Sequence, residues 1–295
     1  MNQSVIDISD LSKYYGKNRG IERVNLVVNE GEIFGFIGPN GAGKSTTIRI
    51  LLNLIFPTRG TAKIMGMDVI KQSKQIKQLV GYIPSDANAY ASMKVQEFLS
   101  YCLRFHKAKE DIPRMNDLAS RFELDLKRKV SELSMGNRKK VSIIQSLLHR
   151  PKLLILDEPT TGLDPLMQSR FFELLTSENK QGMTVFFSSH ILNEVQMLCK
   201  QVAIIKEGKI IQQENIDTLR KKQLKKVHIV FENQSAAESF TIRGLEQILN
   251  RMDRQLSFMF SGNINQLVQH LSGMEISNLI IEEPSLEEIF MHFYQ

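Results

Sequence analysis

Short apolar runs separated by polar turns divide the chain into strands and helices. Val5-Ile6-Asp7-Ile8 and Ile21-Glu22-Arg23-Val24-Asn25-Leu26-Val27-Val28 read as two strands, joined through the polar turn Tyr14-Tyr15-Gly16-Lys17-Asn18. Glu32-Ile33-Phe34-Gly35-Phe36-Ile37 has the near-continuous apolar character of a buried strand. A helix is expected over Thr46 to Asn53, where Ile48, Leu51 and Leu52 recur at helical spacing. Pro57-Thr58-Arg59-Gly60 breaks the chain, a short strand follows over Thr61 to Met65, and Val80 to Asp86 runs from a strand into a proline-broken loop. From about Met93 to Arg150 the period turns helical. Val95, Phe98, Leu99 and Cys102 share one face, Leu118, Phe122 and Leu124 mark a second helix, and Val141, Ile144, Leu147 and Leu148 mark a third.

Two further apolar runs end on chemically distinctive residues. Leu153-Leu154-Ile155-Leu156 closes on Asp157-Glu158, and Thr184-Val185-Phe186-Phe187 closes on Ser188-Ser189-His190. Strands of this kind suit the centre of a parallel sheet covered on both faces, and such sheets bind ligands at the carboxyl ends of their strands. Val202 to Ile205 and Lys209 to Ile211 form a hairpin around a glycine turn. Past Asn215 the character changes. Arg220-Lys221-Lys222-Gln223-Leu224-Lys225-Lys226 reads as a basic, solvated linker. Strands are expected at Val227 to Phe231, Leu256 to Phe260 and Leu279 to Ile281, with helices around Gly244 to Met252 and Ile264 to Leu271. Ser285 with Glu288 makes a capping box, after which Leu286, Ile289, Phe290 and Phe293 form one apolar helix face. The pattern therefore predicts an α/β domain over residues 1–220, with a helical subdomain at about 86–150. A small α+β domain over 221–295 follows it.

The first domain carries the candidate chemistry. Gly38-Pro39-Asn40-Gly41-Ala42-Gly43-Lys44-Ser45-Thr46 fits the phosphate-loop pattern and lies between a strand and a helix. Free backbone N–H groups at such a turn make an anion site, and its glycines let the main chain curl closely around phosphate oxygens. Lys44 would reach the β- and γ-phosphates of a nucleoside triphosphate, and the Ser45 hydroxyl would stand on Mg²⁺. Asp157 would hold Mg²⁺ as well, and Glu158 would be the general base for an attacking water. His190 lies at a strand's carboxyl end, where it would donate to a γ-phosphate oxygen. Tyr15 offers a ring for stacking on adenine, worth about 1–3 kcal/mol.

Composition narrows the classes. The 295 residues are 42% hydrophobic and 24% charged, ordinary for a globular chain, and two cysteines give no disulfide framework. The net charge of +6 is too modest to imply a nucleic-acid partner. No signal peptide is recognised at Met1-Asn2-Gln3-Ser4, and no run of about eighteen apolar residues would span a membrane.

In this order the motifs resemble those of the ATP-binding subunits of ABC transporters. Tyr15 matches that family's adenine-stacking loop, Gly38 to Ser45 its phosphate loop, and Pro84-Ser85 its Q-loop. Leu133 to Asn137 matches the signature, Leu153 to Glu158 the second acidic strand, Gly162-Leu163-Asp164 the D-loop, and His190 the switch histidine. The match spans roughly Val5 to Gln213. The Gly136-Asn137 pair before a basic helix and the tail Glu282 to Phe290 are similar to bacterial exporter-type cassettes for drugs and peptides. The resemblance implies a P-loop cassette with a mixed sheet. It implies ATP and Mg²⁺ as ligands, a homodimer or heterodimer, and separate membrane-embedded permease subunits at the cytoplasmic face of the membrane. In that dimer Ser134 and Gly136 would meet the γ-phosphate held by the opposite chain. Two motifs depart from the family: Ser85 replaces the Q-loop glutamine, and the signature reads Leu-Ser-Met-Gly-Asn, differing at Met135 and Asn137. The alternatives are a soluble ABC ATPase acting on ribosomes or nucleic acid, and a P-loop kinase.

Overall fold

The computed structural model describes residues 3–85, 92–106, 111–221, 225–282 and Pro284. The chain divides into two compact units, Met1–Gln213 and Glu214–Gln295. In chain order the first holds β1 (Ser4–Tyr15), β2 (Asn18–Asn29), β3 (Ile33–Ile37), α1 (Lys44–Leu51), β4 (Arg59–Ile64), β5 (Met67–Asp68), α2 (Ser73–Leu79) and β6 (Val80–Ile83). It continues with α3 (Val95–Phe105), α4 (Ile112–Arg121), α5 (Met135–Leu148), β7 (Leu153–Asp157), α6 (Pro165–Lys180), β8 (Thr184–Ser189), α7 (Leu192–Leu198), β9 (Gln201–Lys206) and β10 (Lys209–Asn215).

These strands form two sheets. The long strands β1 and β2 pair antiparallel and join β4 and β5 in the order β2-β1-β4-β5. The second sheet runs β10-β9-β3-β8-β7-β6, with parallel pairing from β9 through to β6. The loop-facing helix α1 packs into the core between them: Ile48, Ile50 and Leu51 join Ile6, Ile8, Val24 and Val28 from one sheet and Phe34, Phe36, Ile155 and Phe186 from the other. Each such side chain, fully buried, contributes about 1.5–3 kcal/mol. Alternation along β2 buries Val24, Leu26 and Val28 in turn, while β3, β7 and β8 are buried at every position. That is the difference between a sheet covered on one face and one covered on both.

Among the described residues, three helices and a short 3₁₀ turn (Val130–Glu132) build the helical subdomain. The apolar faces expected of α3 and α4 are buried at Val95, Phe98, Leu99, Met115 and Leu118. Starts are fixed by polar caps. Asp111 Oδ1 accepts from Arg114 N–H at 3.0 Å on α4, and Asp164 Oδ1 accepts from Met167 N–H at 3.0 Å on α6. Cys102 and Cys199 are free thiols, and burial pushes both up, Cys102 to about 11.

The second unit holds α8 (Ile216–Lys221), β11 (Lys225–Phe231), α9 (Gln234–Ser239), β12 (Leu245–Met252), β13 (Gln255–Phe260), α10 (Ile264–Leu271) and β14 (Ile276–Glu282). Its antiparallel sheet has the order β12-β13-β11-β14. Val227, Ile229, Phe231, Leu256, Phe258 and Phe260 form its core with Ala237, Phe240, Leu267 and Leu271.

Three expectations are corrected. Gly244 to Met252 is a turn and strand, not a helix: Leu245, Ile248 and Met252 pair with Phe260, Phe258 and Gln255 of β13. The basic run expected as a linker is in part regular structure, because Lys221 ends α8 and Lys225 and Lys226 open β11, while residues 222–224 lie outside the described residues. The loop helix begins at Lys44, two residues before its expected start. The closing helix expected from Ser285 lies outside the described residues, as does Asp86.

Candidate active site

Parallel register sets the site. Ile37 of β3 pairs with Ser189 of β8, Asp157 of β7 with Ser188, and Leu156 with Ile83 of β6. The chain therefore leaves four strands along one sheet edge, carrying the phosphate loop, His190, Glu158 and Pro84-Ser85.

The loop runs from buried Gly38 through exposed Pro39, Asn40 and Gly41 to buried Ala42, Gly43 and Lys44, with Ser45 and Thr46 half-buried. It is pinned by Ala42, whose N–H donates to Pro39 O at 3.1 Å and whose carbonyl accepts from Gly208 N–H at 2.8 Å. Gly43 has φ 111°, and a Cβ there would lie 2.6 Å from Ile21 Cγ2, so no other residue fits this turn. Gly43 is also the N-cap of α1, and no side chain caps that helix or puts an acid in its first turn. The backbone N–H groups of Lys44, Ser45 and Thr46 thus meet no side-chain oxygen, which suits an anionic ligand.

Lys44 is 4% exposed. Its Nζ donates to Gly38 O at 2.7 Å and Pro39 O at 3.1 Å, and lies 3.3 Å from Glu158 Oε1. That same oxygen is 3.2 Å from His190 Nδ1. Glu158 keeps 21% side-chain exposure, enough for access to water. Its backbone is left-handed, φ 49°, and its N–H donates to Ser188 O at 3.1 Å. Asp157 is buried and accepts from the Ser188 hydroxyl at 3.0 Å. Carboxylate and hydroxyl oxygens at Asp157 and Ser45 are hard donors of the kind Mg²⁺ takes. Tyr15 is half exposed at the end of β1, with Lys13 Nζ 5.2 Å from its ring centre. A Cβ on Gly20 would lie 2.9 Å from the Tyr15 ring, and one on Gly43 would lie 3.0 Å from Gly20 O. Tyr15 therefore stands beside the loop.

Ser134 and Gly136 lie at the start of α5. Ser134 is the exposed N-cap of α5, and its hydroxyl accepts from Asn137 N–H at 3.3 Å. Among the described residues no hydrogen bond or ion pair ties either position to the phosphate loop. Gly136 is packed so closely that a Cβ would lie 2.7 Å from Gly162 O.

Two residues at the site escape motif reading. Ser188 anchors Asp157, and Lys139, 2% exposed, donates from its Nζ to Pro84 O, Ser85 O and Glu158 O at 2.8, 3.1 and 3.2 Å. The only signal for Lys139 is that it falls one helical turn before Ile143, on an apolar face.

A phosphate loop opening a helix, faced along one sheet edge by two acids and a histidine, defines a P-loop nucleoside triphosphatase. Residues 21–161 match the family model described as "ABC transporter". Residues 215–294 match that described as "ATP-binding protein DrrA1-3-like, C-terminal domain". The chain is 35% identical to the bacitracin transport ATP-binding protein BcrA of Bacillus licheniformis, over 98% of this chain and 96% of that protein. It resembles the solved ATP-binding subunit of an ABC transporter with a TM-score of 0.70 at 30% identity, covering 74% of this chain and 92% of that one. A dimeric structure of MJ0796, a bacterial ABC transporter cassette, has a TM-score of 0.67 at 25% identity, over 72% of this chain and 98% of that one. The chain belongs to the ATP-binding subunits of ABC transporters, and it is an ATP-binding and ATP-hydrolysing enzyme. Binding of ATP with Mg²⁺ is typical of that family. No described helix is long and apolar enough to cross a membrane.

Proposed function

We propose that the chain is the motor subunit of an exporter of drugs or peptides, working at the cytoplasmic face of the membrane on separate permease subunits. The observation that carries the catalytic half is the single Glu158 oxygen shared by Lys44 at 3.3 Å and His190 at 3.2 Å. Lys44 and the N–H groups of Gly41 to Thr46 hold the β- and γ-phosphates, and Tyr15 stacks on adenine. Ser45 and Asp157 are the residues that would hold Mg²⁺, which supplies charge neutralisation at the phosphate oxygens. Glu158 orients water and takes its proton, while His190 keeps the carboxylate turned toward the phosphates and donates to a γ-phosphate oxygen.

Ser134 and Gly136 complete the site of a second chain, either identical or a non-identical partner. The exposed position of Ser134 at the start of α5 and the dimeric form of the MJ0796 cassette support this reading. ATP held between two chains closes the dimer, and hydrolysis reopens it. The relative named for bacitracin transport supports the export assignment. The test is to isolate the protein from native membranes and identify what accompanies it. Membrane-spanning permeases are expected. A set of partners made only of ribosomal proteins or nucleic acid would overturn the transporter assignment.

A further inference from the structure

Lys139 is an ammonium group buried at the junction of three segments that leave different elements. It stands on the first turns of α5, donates to the two carbonyls that follow β6, and donates to the carbonyl of Glu158 that follows β7. Burying a long cationic side chain costs desolvation and rotamer freedom, which its hydrogen bonds must offset. Three acceptors within 3.2 Å do so here, and one belongs to Glu158.

The backbone of Glu158 is where such a hold matters. A non-glycine residue in the left-handed region costs on the order of 1 kcal/mol or more and persists when its surroundings over-determine it. Glu158, at φ 49°, is fixed from each direction: N–H to Ser188 O, carbonyl from Lys139, and carboxylate between Lys44 and His190. Gly136 lies against Gly162 O, so the first turn of α5 also rests on the loop that follows Glu158.

We propose that Lys139 is a positioning residue for Glu158. By gripping the Glu158 carbonyl and the carbonyls of Pro84 and Ser85 together, it makes the aim of the Glu158 carboxylate depend on where the Ser85 loop sits. The carboxylate itself touches Lys44 and His190, and Lys139 reaches Glu158 through the peptide carbonyl behind it. This also gives the Ser85 position a role that needs no side chain, because Ser85 is gripped by its main-chain oxygen. The inference rests on Glu158 acting as the base.

The test is a double-mutant cycle on the full chain, reading kcat, KM for ATP and ATP affinity separately. A misplacement of about 1 Å at a reacting group costs up to about 100-fold, so Lys139→Met should lower kcat about 10- to 100-fold. KM and ATP affinity should stay within about two-fold, since the phosphate loop is untouched. Lys139→Arg, which restores charged donors, should recover part of kcat. In a Glu158→Gln background, Lys139→Met should produce no further loss, because the group it aims is gone. Should Lys139→Met fail to fold, Lys139→Gln, uncharged but still a donor, carries the same cycle. A parental kcat in Lys139→Met would overturn the proposal, as would a loss that appears in KM or adds fully to that of Glu158→Gln. Parental turnover in Glu158→Gln alone would instead overturn the assignment of the base.

Discussion

The two units of this chain bury different things. Lys44, Lys139, Asp157, Ser188, Ser189 and Glu194 are all buried in the first unit, most of them near the carboxyl edge of its parallel sheet. Among the described residues of the second unit no polar or charged side chain is buried, and its core is Val227, Ile229, Phe231, Phe240, Leu256, Phe258 and their neighbours. Desolvating a charge is costly, so a fold that keeps several of them inside has a use for them. A core made only of apolar groups needs no purpose beyond packing. The contrast places the residues suited to ATP chemistry in the first unit, while the second is an antiparallel sheet over an apolar core.

The largest effect that sharpens this contrast lies at Ser134. If it completes the partner chain's site, Ser134→Arg places a bulky cation there, and hydrolysis should fall by at least about 100-fold. Mixing that variant with Lys44→Ala chains should restore part of the activity, because one composite site then has an intact loop and an intact signature. Steady-state ATP turnover of each variant and of the mixture checks this. Full activity in Ser134→Arg alone would remove Ser134 from the site.

In the second unit, Phe258→Ala should cost roughly 3–5 kcal/mol of that unit's stability. ATP turnover of the isolated protein should remain within a few-fold. Chemical denaturation followed alongside ATPase activity decides it. Loss of both together would break the division of labour.

A smaller effect is tied to pH. His106 and His149 stack in the first unit with ring centres 3.7 Å apart. Burial, and then the neighbouring His106, hold His149 down to about 4, while a backbone contact at Val80 pulls weakly the other way. His106 is also lowered, by burial. Both rings are therefore neutral in the native state at pH 7. As pH falls below the usual histidine value near 6.5, the unfolded chain takes up a proton that native His149 refuses, so stability drops until about pH 4. The loss assignable to His149 is at most about 3 kcal/mol. His149→Phe, which keeps a stacked ring, should flatten the pH dependence of denaturation between those limits. An unchanged slope would show that His149 is charged already in the native protein.

The smallest effect is expected at Ser85. Serine is about 2.5 Å shorter than the family's glutamine, counted at about 1.5 Å per bond, and the structure grips Ser85 by its carbonyl. Ser85→Ala should leave turnover of the isolated chain within a few-fold. A collapse would make its hydroxyl part of the chemistry.

Much of the first unit was legible because its chemistry is written in contiguous residues. The phosphate loop, Asp157-Glu158 and Ser188-Ser189-His190 each follow an apolar strand, and parallel register brings them to one edge. Lys139 was not legible. Arg138-Lys139-Lys140 looks like a solvated basic patch, and only the packing of α5 against the ends of β6 and β7 turns one of the three inward. β12 was misread for a related reason. Leu245, Ile248, Leu249 and Met252 follow the i, i+3, i+4, i+7 rule of a helix, yet Ile248 is 43% and Met252 65% exposed. What decides that segment is its partner β13, reached across the Met252-Asp253-Arg254 turn, and pairing of that kind carries no local periodicity of its own.

The central claim is that ATP hydrolysis depends on the Glu158 carboxylate held between Lys44 and His190. It is tested most directly by ATP turnover and ATP affinity of Glu158→Gln measured on the same preparation. The account predicts retained nucleotide binding and a fall in turnover of at least about 100-fold. Turnover at the parental rate, with binding intact, would contradict it.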